Sequence, residues 1–120
     1  MKLTSLALGS VVLFAAAATS HAADLAAGKA VWEKLNCASC HGADGAKSID
    51  PSYPILAGQH ADFLVQALRS YQRGASGAPA SANVRKNAVM GAFAKQLSKQ
   101  DVDNVSAWLA AQPSPLAVRR

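Results

Sequence analysis

Two cysteines and a histidine form the pattern in this chain whose spacing points most directly to chemistry. Cys37 and Cys40 are separated by two residues and His41 follows at once, which gives the sequence C-x-x-C-H. Two thiols at this spacing can each form a thioether with a vinyl group of a haem, and the adjacent imidazole is then held over the iron as an axial ligand. The motif therefore predicts one covalently attached haem c, with Cys37 and Cys40 as attachment points and His41 as an iron ligand.

Other uses of the same thiols have to be weighed against haem attachment. A C-x-x-C pair also occurs as a structural disulfide, as a thioredoxin-like redox pair or as half of a zinc site. A thioredoxin-like pair belongs in a βαβ pattern, which is not visible in this sequence. A zinc site normally needs four ligands, and beyond the motif residues 23–120 offer only His60 as a further Cys or His. Haem attachment is the interpretation that these observations favour.

The first 22 residues are typical of a secretory signal peptide. Lys2 gives a positive start, residues 6–18 form an apolar run, and Ser20-His21-Ala22 places small residues at the cleavage-defining positions. We expect cleavage after Ala22 or Ala23, which leaves one domain over residues 23–120. Because the signal directs export, we expect this domain in a bacterial periplasm. The apolar run is too short to span a bilayer comfortably, and we expect no integral membrane segment in the mature chain.

The size and net charge of the mature domain limit the functions that it can have. A domain of just under a hundred residues has a thin core, and small domains commonly complete theirs with a cofactor or crosslink. Without Lys2, eleven Lys and Arg side chains face seven Asp and Glu, a net charge of +4 that two haem propionates would reduce to about +2. The basic residues are dispersed, so we expect no binding of nucleic acid.

The periodicity predicts an all-α fold. Apolar or small residues share one helical face from Leu25 to Leu35, with Asp24 as the N-cap. Gly28 is costly inside this helix unless another backbone passes close to it. A second helix is predicted from Gln59 to Arg73, ended by Gly74 as a C-cap.

The C-terminal half carries a lone methionine and a last helix. Met90 lies in an apolar patch that we interpret as a loop entering a short helix. Ser98 and Asp101 resemble a capping box at the start of the last helix, and Pro113 ends it.

Taken in order, these features resemble a class I cytochrome c of the short bacterial periplasmic kind with one haem. The resemblance covers essentially the whole of residues 23–120 and implies a small cytochrome c fold. In that fold the helices pack around one covalently bound haem, and the N- and C-terminal helices cross. The residues that carry the resemblance are Gly28, Trp32, Cys37, Cys40, His41, Pro54, Leu56, Met90 and Trp108.

The resemblance also implies the rest of the haem site. Met90 matches the position of the family's second axial ligand, although a lone methionine also serves as a filler of core gaps. Pro54 matches a proline whose carbonyl accepts the Nδ1–H of the proximal histidine, and Leu56 belongs to the same haem-binding segment. His60 is a rival ligand to the iron, and a surface position is its simpler interpretation.

Two functions of different classes follow. A six-coordinate centre with His41 and Met90 predicts an electron carrier rather than an enzyme, either free or as a subunit or donor of a larger oxidoreductase. The alternative is a haem c protein for gas binding or peroxide chemistry, with an open or labile distal site.

The partners that we expect for a carrier are redox proteins with acidic docking surfaces. The chain itself we expect to be a monomer. The candidate lysines for such docking at a haem edge are Lys47, Lys86, Lys95 and Lys99, and the candidate propionate partners are Tyr53, Gln59 and Arg73.

Overall fold

A computed structural model describes residues 22–116, and every regular element in that range is helical. The prediction of an all-α fold is therefore confirmed. The predicted signal peptide lies outside the described residues except for Ala22, so it stays a prediction. Within residues 22–116 no helix is both long and apolar enough to cross a membrane. The helices are α1 (Leu25–Lys34), α2 (Ala38–His41), α3 (Ala61–Ala75), α4 (Ala88–Ala94) and α5 (Lys99–Ala110), with a 3-10 turn at Ala80–Ala82.

Asp24 begins α1, as its side chain predicts, and also ties that helix to α5. One carboxylate oxygen accepts hydrogen bonds from the backbone N–H groups of Ala26 and Ala27, at 2.8 and 3.0 Å. The backbone N–H of Asp24 donates to Oδ1 of Asn104 at 2.9 Å. Asn104 is a buried polar residue of α5. One residue therefore satisfies the free donors of the helix start and fixes where the two helices meet.

The crossing of α1 and α5 confirms the expected arrangement of the first and last helices. A Cβ built on Gly28 would collide with the backbone oxygen of Asn104 and would lie 2.8 Å from Cβ of Trp108. Trp32 and Trp108 pack beside this contact, with ring centroids 5.5 Å apart. The glycine is needed because two backbones meet there.

The start of α5 is the predicted capping box. The backbone N–H of Asp101 donates to Oγ of Ser98 at 3.1 Å, and the backbone N–H of Ser98 donates to the Asp101 carboxylate at 3.0 Å. The Ser98 hydroxyl also donates to the Asp101 carboxylate at 2.8 Å. This bond, followed by the one from the Ser98 backbone N–H, holds the pKa of Asp101 below its ordinary value. The stabilisation is therefore present above the ordinary aspartate pKa and is lost as the pH falls through the lowered one.

The end of α3 differs from the prediction. Gly74 does not cap the helix, which continues to Ala75 and has Ser76 as its C-cap. A Cβ on Gly74 would collide with the carbonyl oxygen of Arg85, so this glycine also permits the close approach of a second backbone. From the sequence alone a glycine that ends a helix and a glycine that accommodates a neighbour give the same signal.

Replacing Gly28 with alanine is expected to destabilise the fold more than the same change at Gly91. The added methyl group at Gly28 meets fixed backbone, so we expect a loss of about 2–3 kcal/mol in the free energy of unfolding of the haem-loaded protein. At Gly91 of α4 the new Cβ would lie 3.2 Å from Cβ of Ala75, where a small shift relieves the contact. Denaturant unfolding of both variants is the test, and equal losses would contradict the tight crossing at Gly28.

Candidate haem site

A cavity of about 350 Å³ lies between the five helices α1 to α5 of the described residues. Its volume falls within the range of about 300–1,000 Å³ typical of ligand pockets. All six residues predicted to bind the cofactor line it, so the structure brings together the two halves of the predicted site. These six are Cys37, Cys40, His41, Pro54, Leu56 and Met90.

The two cysteines lie on one tight turn of chain. Cys37 is the N-cap of α2, and its carbonyl accepts hydrogen bonds from the N–H groups of Cys40 and His41, at 3.3 and 3.1 Å. Asn36 before the turn and Gly42 after it both have positive φ, which reverses the chain on either side of the motif. Both thiols are free and half-buried. Burial raises the pKa of the Cys37 thiol, which keeps it protonated at neutral pH in the unmodified chain.

His41 is buried, with 6% of its surface exposed. Its Nδ1 lies 3.1 Å from the carbonyl oxygen of Pro54. Because a carbonyl can only accept, Nδ1 carries the proton in this pair, so Nε2 is the nitrogen that can offer a lone pair to a metal. The rings of Trp32 and Tyr53 flank the imidazole, with centroids 6.3 and 6.1 Å away. The surroundings of His41 therefore hold one tautomer with one nitrogen available as a ligand.

The segment that carries Pro54 and Leu56 is itself anchored to the rest of the chain. The carbonyl of Gly45 accepts from the N–H groups of Leu56 and Ala57, at 2.8 and 3.1 Å. The N–H of Gly58 donates to the carbonyl of Leu109 in α5 at 2.9 Å. These bonds position the Pro54 carbonyl at His41 and place Leu56 in the cavity wall.

Met90 lies in the first turn of α4 and is partly buried in the wall of the same cavity. Oδ1 of Asn87 accepts from the backbone N–H of Met90 at 2.9 Å and so caps the helix. At the other end of α4, Nε2 of Gln72 donates to the carbonyls of Ala94 and Leu97, both at 2.9 Å. A seven-residue helix is too short to be stable alone. Both ends of the element that carries Met90 are therefore held by side chains.

Other residues singled out from the sequence lie elsewhere. His60 is exposed as the N-cap of α3 and is not part of the cavity lining. Of the candidate propionate partners only Tyr53 lines the cavity. The side chain of Gln59 donates to the carbonyl of Ile55, and that of Arg73 donates to the carbonyl of Asn83.

Sequence reasoning missed two residues that support the site. Asn87 both lines the cavity and caps α4. An asparagine directly before an apolar helix is a recognisable N-cap signal, so this contact was open to prediction. The second is Trp32, for which the sequence predicts no hydrogen bond: its Nε1 donates to the carbonyl of Ala43 at 3.0 Å and holds the loop that follows the motif.

The cavity lining fits a haem. It includes no Lys, Arg, Asp or Glu in the described part of the chain, and most of it is aliphatic or aromatic. Polar side chains such as Ser52, Tyr53 and Asn87 also contribute to it. An apolar wall suits the macrocycle, while the paired thiols, the imidazole and the thioether are the groups that attach a haem c and bind its iron.

Comparison with known proteins agrees with this chemistry. Residues 25–112 match the sequence model of the family described as cytochrome c. The chain is 34% identical over 95 residues to cytochrome c-554(548) of Halomonas halodenitrificans, covering 76% of this chain and 99% of that protein.

Longer relatives match over part of their length. The chain is 35% identical over 81 residues to the thiosulfate dehydrogenase electron acceptor of Stutzerimonas stutzeri, covering 68% of this chain and 33% of that protein. The chain thus spans about a third of the length of the first curated relatives it matches. The crystal structure of reduced recombinant cytochrome c4 from Pseudomonas stutzeri superposes with a TM-score of 0.66 at 34% identity, covering 78% of this chain and 47% of that one. By family match, relatives and fold, the chain belongs to the cytochrome c family and carries a covalently attached haem c.

Proposed function

We propose that this protein is a periplasmic electron carrier whose haem iron is bound by His41 and Met90. The observation that carries the proposal is the placement of these two side chains, from different helices, in the lining of one apolar cavity. Cys37 and Cys40 would hold the haem through thioethers, Pro54 would orient His41, and Leu56 would cover part of the macrocycle. The periplasmic location depends on the signal-peptide character of residues 1–22.

When bound, the haem supplies an iron that gains and loses one electron. The work of the chain is to hold both ligands in place so that little rearranges with the change of charge. The Met90 thioether is a soft, neutral ligand that favours ferrous iron and raises the reduction potential. The alternative function, gas binding or peroxide chemistry, needs an open distal position. The partly buried Met90 on a helix held at both ends favours the carrier.

Among the partners expected for such a carrier is a larger oxidoreductase. Two relatives are named for accepting electrons from thiosulfate dehydrogenase. In this chain, four basic side chains line an open groove over α3 and the two ends of the α4–α5 connection. They are Arg69, Arg73, Lys95 and Lys99.

This groove is the surface that we assign to an acidic partner. None of the four lysines considered from the sequence lines the haem cavity, but Lys95 and Lys99 share the groove. Asp103 pairs with Arg69 at 3.0 Å, so it offsets one of the four charges. Gln72 forms part of the groove and donates to the carbonyls of cavity-lining Ala94 and Leu97. A partner held in this groove would therefore lie one layer of side chains from the haem.

Replacing Met90 with alanine tests the ligation. The variant should lose most of its raised reduction potential and bind carbon monoxide in the ferrous state, because the position of the thioether is then open. Redox titration and a carbon monoxide difference spectrum measure the two effects. His60→Ala is the matched control and should change neither. An unaltered potential in Met90→Ala would show that Met90 only fills the core.

Reversing two charges in the groove tests the docking surface. Electron exchange of Lys95→Glu/Lys99→Glu with hexacyanoferrate should slow roughly threefold or more at low ionic strength, because steering of anions depends on local positive charge. The double variant Lys29→Glu/Lys47→Glu has the same net charge and should be affected less. Stopped-flow rates over a range of salt concentrations give the comparison. Equal slowing of the two variants would mean that only net charge matters.

A further inference from the structure

The segment that leads to Met90, residues 83–87, lies against α3 at close range. The backbone N–H of Arg85 donates to the carbonyl of Ser70 at 3.0 Å. The carbonyl of Arg85 occupies the space that a Cβ on Gly74 would need. The guanidinium of Arg73 donates to the carbonyl of Asn83 at 2.9 Å. Three contacts from one helix therefore fix the path of this segment.

The side chain of Arg85 adds a contact of another kind. Its guanidinium lies over the rings of both Phe63 and Tyr71, 5.6 Å from each centroid. Phe63 is 48% exposed, whereas Tyr71 lines the haem cavity. At this distance a guanidinium is attracted to the face of each ring. Arg85 thus joins the segment to a wall of the haem cavity.

The connection from Arg85 to Met90 is short. Asn87 follows two residues later and caps α4 through the backbone N–H of Met90. Since Gln72 holds only the far end of α4, the near end depends on the segment that Arg85 attaches to α3. Any movement of the segment away from α3 would carry Asn87, and with it the first turn of α4.

We propose that Arg85 is a positioning residue that keeps Met90 on the haem iron by holding residues 83–87 to α3. The inference rests on the proposed ligation by Met90. Met90 then exchanges between a bound position and a released one, and Arg85 lowers the population of the released state. An external ligand binds the iron only in the released state, so its apparent affinity measures that population.

The test uses the ferric haem-loaded protein and imidazole as the external ligand. Removing two cation–π contacts in Arg85→Gln should raise the apparent affinity for imidazole about fivefold or more. Arg85→Lys, which keeps a cation over the rings, should fall between Arg85→Gln and the unmodified protein. Lys86→Gln removes the neighbouring charge and leaves the rings covered, so its affinity should be unchanged. Hydrogen exchange at the amides of positions 85 and 90 should also quicken in Arg85→Gln and should stay unchanged in Lys86→Gln.

Three results would overturn this inference. If Arg85→Gln bound imidazole no more tightly than Lys86→Gln, the contacts of Arg85 with the two rings would have no effect on Met90. A lower unfolding midpoint for Arg85→Gln with unaltered imidazole affinity would show a merely structural role. If the unmodified protein bound imidazole as tightly as Met90→Ala, ligation by Met90 would itself be wrong and this inference would fail with the proposed function.

Discussion

The fold depends on a cavity at its centre, around which short helices are arranged. The buried apolar cluster of Trp32, Leu64, Val105 and Leu109 forms part of the cavity lining. A domain of this size buries too little apolar surface among its own side chains to be strongly stable. The covalently attached haem therefore completes the core as well as serving as the cofactor. Because the haem is part of the core, residues that stabilise the fold also set the properties of the haem site.

The two sides of the cavity are built by different means. On the His41 side, the motif occupies one tight turn, and the Pro54 carbonyl fixes the imidazole through a 3.1 Å contact. On the Met90 side, a seven-residue helix is held by side chains at its two ends. A thioether is a weak and neutral ligand, so its hold on iron depends on the position of the surrounding chain more than on its own basicity. Under the proposed ligation, this difference accounts for the contacts that converge on the segment before Met90.

Local signals in the sequence predicted much of this structure. Asp24, Ser98 and Asp101 act within four residues of their own position, and their caps form as expected. Partnerships across the chain were predicted less well. Gly74 was interpreted as a helix end, although its neighbour is the Arg85 carbonyl eleven residues away. The contacts of Arg85 have no local pattern in the sequence, because the rings of Phe63 and Tyr71 are on α3 and only the folded chain brings them to Arg85.

The central claim is that His41 and Met90 both occupy the iron, which makes the protein a carrier rather than a binder of gases or peroxide. The most direct test is the visible spectrum of the reduced protein, exported with haem maturation available, recorded with and without carbon monoxide. We predict a c-type spectrum that carbon monoxide does not change, because both axial positions are filled. A spectrum that shifts with carbon monoxide would show an open or labile distal site and would contradict the account.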